Sequence, residues 1–387
     1  MSSVNIRMMD DSEGWYLISS QSGFLQLQSD WEQLFRRNSR HSPFLAWGWV
    51  NAWLAFLAGP HELLIACHRD IAGELDFVLP LIRRARGRRI GKPGVVFACS
   101  FGPECSEKLG WLCSPALDDV SATMVAEAVS RFLNSRDFIA LAPLDDAGNL
   151  PEKLRSAVRS RGRTTSIGPD VVCPTLELPD SWESYLQQLS SNFRSQVRRS
   201  ERNFNGSGEL RIRVLEAANA KEFAHKLIGL NQSRMRVKGQ ISSMEDEAFQ
   251  AFLLDAIPYM ASQDIAWMDV VESGSEIVGV ALNFVHGSGI YYYSGGFEDR
   301  FSKSRPGTAL FAAAIRRGIE SEYKSFNFLR GDEPYKYRWG ARDVIDRRAI
   351  IFPSAQVHRQ IAVTAESLYA FASRLREASS KIRSRMR

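Results

Sequence analysis

The chain has 387 residues, 44% apolar and 24% charged, and 49 basic against 44 acidic side chains leave a net charge of +5. That is longer than one ordinary domain and apolar enough for packed cores, so two soluble domains are expected. Cys67, Cys99, Cys105, Cys113 and Cys173 are odd in number and form no CxxC pair, which speaks against a disulfide framework or a zinc site and for small buried side chains in a reducing cytoplasm.

Met1–Asp11 carries acids and lacks an apolar core, so it does not read as a signal peptide. Trp31–Arg37 and Trp47–Leu57 have helical apolar spacing on either side of a His41-Ser-Pro-Phe turn. The second helix lies in the most apolar window, Pro43–Pro60. That window is shorter than the ~20 residues a spanning helix needs and is interrupted by Asn51, so a buried helix is expected rather than one lying on a membrane. Leu63–Cys67 and Leu75–Ile82 read as strands joined at Ala72-Gly73, with further strands at Val95–Phe101 and Gly110–Cys113. Asp118-Asp119 is the expected cap of a helix running to Leu133, followed by a buried strand at Phe138–Leu141 and a helix at Leu150–Arg161.

Pro179–Arg199 reads as one amphipathic helix capped by Asp180 and Glu183. Trp182, Leu186, Leu189, Phe193 and Val197 lie on one face, Arg194, Arg198 and Arg202 lie beside them, and Asn205-Gly206 ends the helix. The order then repeats: a strand at Leu210–Leu215, helices at Ala220–Arg236 and Glu245–Ala261 (the latter disturbed by Pro258), and a hairpin Ala266–Val271/Ile277–Phe284 about Ser273-Gly-Ser. A strand at Ile290–Ser294, a helix at Pro306–Glu320 and a strand at Phe326–Leu329 complete the second half. Aligning Trp111–Asp118 with Tyr292–Asp299 gives a duplicated α/β unit, each copy about 170 residues long. Basic residues cluster at Arg83, Arg84, Arg86, Arg88, Arg89 and Lys92, and again in the tail at Arg374, Arg376, Lys381, Arg383, Arg385 and Arg387. They suit solvated faces or peripheral contact with an anionic membrane.

Two segments carry chemistry. In Ser304-Arg-Pro-Gly-Thr-Ala309, Pro306 fits the first helical position, and the N–H groups of Gly307, Thr308 and Ala309 are expected to lack intrahelical partners and to face a diphosphate, with Lys303 and Arg305 adding charge. Just past the strand, Gly331-Asp-Glu-Pro-Tyr-Lys-Tyr-Arg-Trp339 gathers titratable groups. Tyr335 is expected to protonate a leaving thiolate, Asp332 or Glu333 to take a proton from an incoming amine or hydroxyl, and Lys336 to hold an oxyanion or phosphate.

The run S-x-PGT-x-L through F-x-F-L-x-G-x-E-x-YK-x-x-W resembles the CelD-like branch of the GNAT acetyltransferase superfamily, related to the FemAB transferases. Ser42-Pro-Phe44 with Trp49 and Trp53, and Tyr185-Leu leading to Arg194 through Arg199, support the likeness from Phe24 to Phe352. The resemblance implies two tandem GNAT-like α/β domains with mixed sheets. These would be residues 1–178, degenerate and shaping the acceptor groove, and 179–353, carrying the acyl transfer, with a basic helical tail at 354–387. It also implies acetyl-CoA or another acyl-CoA as donor, with its thioester along Ile290–Ser294 beside Tyr293 and its pyrophosphate at Ser304, Arg305, Gly307, Thr308 and Ala309, although Ser304 departs from the usual opening residue of that loop. A small-molecule or glycan acceptor of cell-envelope or polysaccharide pathways is expected to enter past Arg234, Arg236 and Lys238, without a metal. A FemAB-like transferase using aminoacyl-tRNA and a non-catalytic assembly scaffold are the alternatives; no RNA-recognition motif favours nucleic acid.

Overall fold

The computed structural model describes residues 6–8, 14–84, 94–100, 105–145, 147–204, 210–356, 359–360 and 363–364. In chain order the first half contains β1 (Ile6–Met8), β2 (Trp15–Ile18), α1 (Gln21–Gln26), α2 (Gln28–Arg37), α3 (Trp47–Phe56), β3 (His61–Arg69), β4 (Leu75–Arg84), β5 (Val95–Phe97), β6 (Leu112–Cys113), α4 (Ser121–Phe132), β7 (Ile139–Leu144), α5 (Leu150–Ser160) and β8 (Thr165–Val172). Then come β9 (Thr175–Glu177), α6 (Trp182–Gln188), α7 (Ser191–Phe204), β10 (Leu210–Leu215), α8 (Ala220–Val237), α9 (Glu247–Ser262), β11 (Ala266–Ser273), β12 (Glu276–His286) and β13 (Gly289–Phe297). The last elements are α10 (Pro306–Glu320), β14 (Ser325–Asn327), α11 (Pro334–Arg338) and β15 (Ile345–Ile351).

These strands form two mixed sheets. The first has the order β1-β2-β3-β4-β5-β7-β15-β8 with β6 alongside β4, and the second β10-β11-β12-β13-β14-β9. Each sheet is built on the same unit: an antiparallel hairpin (β3–β4, β11–β12), a third antiparallel strand (β5, β13), a crossover helix (α4, α10) and a strand parallel to the third (β7, β14). The duplication is present, but its alignment differs from the expected one. The counterpart of Tyr291–Phe297 is Val95–Phe97, whereas Leu112 and Cys113 form a two-residue edge beside β4. The sheets also exchange strands across residue 178: β9 sits in the second sheet beside β14, and β15 sits in the first between β7 and β8.

The apolar window at Pro43–Pro60 becomes α3, with Trp49 and Trp53 fully buried, because α9 of the second half covers it. The two helices meet so closely at Gly48 that a Cβ there would fall 2.0 Å from the Tyr259 ring. Trp49 packs on Phe252, Phe284 and Tyr293 at ring separations of 4.7, 5.1 and 5.3 Å, so one continuous core joins the halves. All five cysteines are buried without disulfides, and four of them, Cys67, Cys99, Cys105 and Cys113, lie in that core.

Three local expectations are corrected. The single helix expected over Pro179–Arg199 is α6 and α7, because Ser190 caps a new start: its hydroxyl accepts from Phe193 N–H and its carbonyl from Arg194 N–H. The cap of α6 is Ser181 rather than Asp180. Asp118 does not cap α4; its carboxylate accepts from Asn38 at 2.8 Å and pairs with Arg40 at 3.0 Å. Residues 205–209, the arginines at 86, 88 and 89 with Lys92, and the tail beyond residue 364 lie outside the described residues.

Candidate active site

β13 and β14 run parallel for only three pairs, Gly289↔Ser325 to Tyr291↔Asn327, after which β13 continues to Phe297 paired with β12 alone. The chain leaving β14 is drawn the other way. Phe328 N–H donates to the Pro174 carbonyl and Gly331 N–H to the Val172 carbonyl, and Leu329 takes a left-handed conformation (φ 54°). The strands therefore part, and backbone groups of β13 from Tyr292 onward face a gap with no strand partner. The pairing of β12 with β13 slips at this level, between Leu282 and Asn283, which leaves Tyr293 as an extra residue in the ladder.

A cavity of about 880 Å³ opens from this gap. Its walls come from β13 (Tyr292 to Phe297), the end of α8 (Arg234, Lys238), the start of α10 (Gly307, Thr308) and α11 (Tyr335, Lys336, Arg338). The charged residues lining it are Arg234, Lys238, Arg305, Arg330, Lys336 and Arg338 against Glu107 and Glu333, six cations to two anions. Arg305 and Arg338 converge on one neutral atom, Gln196 Oε1 of α7, at 2.6 and 2.8 Å. Two guanidiniums drawn to a single amide oxygen repel each other, and an anion between them would relieve that repulsion. Arg234 stacks on the Phe297 ring at 4.2 Å. Burial, and then the neighbouring Arg234, lower the pKa of Lys238.

The expected phosphate cradle is thinner than its spacing implied. Arg305 occupies the N-cap of α10 in the left-handed region, and its carbonyl accepts from both Thr308 N–H (3.0 Å) and Ala309 N–H (3.2 Å). Gly307 N–H remains at the helix start, on the cavity wall. Ala309 faces the core at 1% exposure, and Ser304 lies outside the lining.

The polar cluster is divided as well. Tyr335 lines the cavity with its ring against Phe311 at 5.8 Å. The residue is 39% exposed; desolvation of the phenol against the cavity wall, then Tyr292 and Glu333, raise its pKa above the usual range, which keeps it protonated and makes it a weaker acid than a free phenol. Burial likewise pushes Tyr292 up to about 12. Lys336 is 2% exposed, and its ammonium is committed to the carbonyls of Leu329 (3.1 Å), Arg330 (2.6 Å) and Gly331 (3.1 Å) and to Glu333 (2.9 Å). It therefore ties down the turn that diverges from β13, rather than holding an oxyanion. Glu333 lines the cavity mouth through that pair, while Asp332 is exposed and outside the lining. Arg236 is held by Glu245 at 3.1 Å, off the cavity, whereas Arg234 and Lys238 face it. Tyr293 lines the cavity too; its phenol oxygen is buried with no hydrogen-bond partner.

Sequence reasoning missed Gln196, Arg338, Arg330 and Glu107. It also missed the chain Ser242 Oγ–Asn231 Oδ1 (2.6 Å) and Asn231 Nδ2–Ser294 Oγ (3.2 Å), which fixes one wall. Arg330 and Arg338 stood within the motif already singled out. Glu107 had no local signal, because it reaches the cavity from the first half and meets Arg330 Nε at 3.0 Å.

Residues 191–337 match the acetyltransferase (GNAT) domain family. The match runs from α7 into α11 and takes in the second-half lining of the cavity as far as Lys336, with Arg338 and Trp339 just beyond it. Comparison with curated proteins gives no match. Among solved structures the fold is similar to FemX (TM-score 0.59, 10% identity, 83% of this chain and 95% of that one). It is also similar to a conserved protein of unknown function from Bacteroides thetaiotaomicron (0.56, 9%, 90% and 99%). A third likeness is to the C-terminal domain of a candidate lysylphosphatidylglycerol synthetase from Agrobacterium fabrum (0.51, 10%, 89% and 97%). At such identity these likenesses establish a mixed α/β, GNAT-like fold and leave the reaction to the site. No helix among the described residues is long and apolar enough to cross a membrane.

Proposed function

We propose that the chain is an acyl-CoA-dependent acyltransferase in which the second half binds the donor and transfers the acyl group directly to an amine or hydroxyl. The observation that carries this reading is the cationic cavity at the parting of β13 and β14. At about 880 Å³ it falls within the range of roughly 300–1,000 Å³ typical of small-molecule sites. A thioester reaching the gap meets unpaired backbone groups of β13 that can polarise its carbonyl. The polyanionic part of the donor faces Arg305, Arg338 and the start of α10, where Gly307 lets a phosphate approach the backbone. Tyr335, on the same wall, is the hydroxyl placed to protonate the departing thiolate. Among the described residues no nucleophile is set up for a covalent intermediate: the cysteines are buried, and burial raises their pKa values.

The motif resemblance points to a small-molecule or glycan acceptor of envelope or polysaccharide metabolism, handled at the inner face of the cell, with the first half shaping its groove. Calorimetric titration with acetyl-CoA tests the donor site. Replacing both Arg305 and Arg338 by Gln should weaken binding about 10- to 100-fold, as expected for the loss of charge-assisted hydrogen bonds. Gly307→Glu should abolish it, while Tyr335→Phe should lower turnover and spare affinity. Equal binding by wild type, the double variant and Gly307→Glu refutes the placement. Binding of tRNA but not of acetyl-CoA assigns the cavity to a different donor.

A further inference from the structure

We propose that Glu107, contributed by the first half of the chain, is the carboxylate that receives the proton of the attacking acceptor. The inference rests on the acyl-transfer reading and deepens it.

Among the residues lining the cavity the acids are Glu107 and Glu333. Glu333 sits at the mouth with its side chain 54% exposed and bound to Lys336. Glu107 is 4% exposed and lies at the parting of the strands. Its carboxylate meets Arg330, three residues past the end of β14, at 3.0 Å, and its charge bears on the Tyr293 phenol of β13, whose oxygen has no partner. Glu107 thus lies on the cavity wall, tied to the turn that leaves β14.

Its backbone is held on both sides. Ser106 Oγ accepts from Trp49 Nε1 at 2.9 Å. Lys108 N–H donates to Asp346 Oδ2 at 3.0 Å, and its ammonium reaches Asp346 and Asp145, each at 3.0 Å. Asp346 is wholly buried on β15, so the strand exchanged between the sheets anchors this loop. A side chain fixed so firmly at a reacting gap is preorganised for work there rather than for solvation.

The step balances as follows. The acceptor nitrogen or oxygen forms a bond to the thioester carbonyl carbon, and the C–S pair leaves on sulfur. The acceptor proton passes to the Glu107 carboxylate, and the Tyr335 proton passes to the thiolate. Exchange with water then restores both side chains.

Thiol release from acetyl-CoA, with water and then with glycine, ethanolamine and glucosamine as probe acceptors, tests the assignment alongside calorimetry of acetyl-CoA. Glu107→Gln should bind acetyl-CoA within about threefold of wild type yet lose about 10²–10⁴ in kcat. It should also lose the acid limb of the pH profile, and Glu107→Asp should restore part of both. Arg330→Gln should move that limb to higher pH, because a carboxylate deprived of its cation holds its proton longer. A Glu107→Gln enzyme with wild-type kcat and acid limb overturns the assignment, as does one whose acetyl-CoA affinity falls in step with its rate. Wild type that fails to bind acetyl-CoA overturns the acyl-transfer reading instead.

Discussion

Acid should destabilise the fold, and His41 gives the size of the effect. Its Nδ1–H donates to the Phe35 carbonyl at 3.2 Å and its Nε2 accepts from Cys113 N–H at 3.0 Å, which fixes one neutral tautomer. A second proton would set two N–H groups against each other. Burial holds the pKa at about 4; the nearby His286 lowers it further, while Asp118 works the other way. His286 is itself lowered by burial and lies 6.4 Å away, ring to ring. For a base whose folded pKa is depressed from 6.5 to about 4, the stabilisation is complete above 6.5 and is lost as the pH falls toward 4. Near pH 4.5 the loss from this one ring comes to about 2.5 kcal/mol. His41→Gln keeps a donor and an acceptor without titrating. Urea unfolding of both proteins near pH 7.5 and near pH 4.5 should show wild type losing about 2.5 kcal/mol more than the variant, since His286 is common to both. Equal losses would show that His41 does not titrate in this range.

Other outcomes follow from the same geometry. In Gly296→Ala the new Cβ would lie 2.6 Å from the Leu230 carbonyl carbon and 2.8 Å from Asn231 N, both backbone of α8. Thermal unfolding should register about 2–3 kcal/mol of destabilisation, with weaker acetyl-CoA binding as α8 is pushed off the cavity. Gly307→Ala, whose Cβ would meet only the Phe297 ring at 3.4 Å, should leave stability unchanged or raise it by less than about 1 kcal/mol. Lys336→Met removes the ammonium from three carbonyls and should cost about 2–3 kcal/mol by the same assay, a loss that added acetyl-CoA does not restore. Asp332→Asn, outside the cavity, should keep turnover within about twofold; a tenfold drop would put it back in the mechanism.

Helix and strand positions were largely legible because they depend on local spacing. The start and end of α10 agree with the Pro306 and Glu320 read from the sequence, and the apolar face from Trp182 to Val197 is buried across two helices. What the sequence could not show was how carbonyls and side chains far apart in the chain are used. The free amides expected at Thr308 and Ala309 are claimed by a single left-handed residue, Arg305. Lys336 looks like a surface cation in a turn, and its burial depends on three carbonyls that converge only because residues 328–331 are pulled toward Pro174 and Val172. Glu107 is silent in sequence because its partner, Arg330, is 223 residues away.

The two copies of the repeated unit differ in ways that account for where chemistry can occur. β5 has three residues and pairs two of them with β7, so little strand projects beyond the ladder, and the following helix opens beside Asp118, a negative charge already neutralised by Arg40. β13 has nine residues, pairs three with β14, and is followed by a helix that opens beside Arg305. One copy therefore presents a closed ladder and a charge-paired helix start, and the other a gap and a cationic one. The second copy thus offers an anion both room and positive charge, and the first offers neither. With its own gap closed, the first copy can still lend its loop from Ser106 to Lys108 to the neighbouring cavity. A duplicated fold in this way sets a cationic cavity in one half and a fixed carboxylate from the other on its wall.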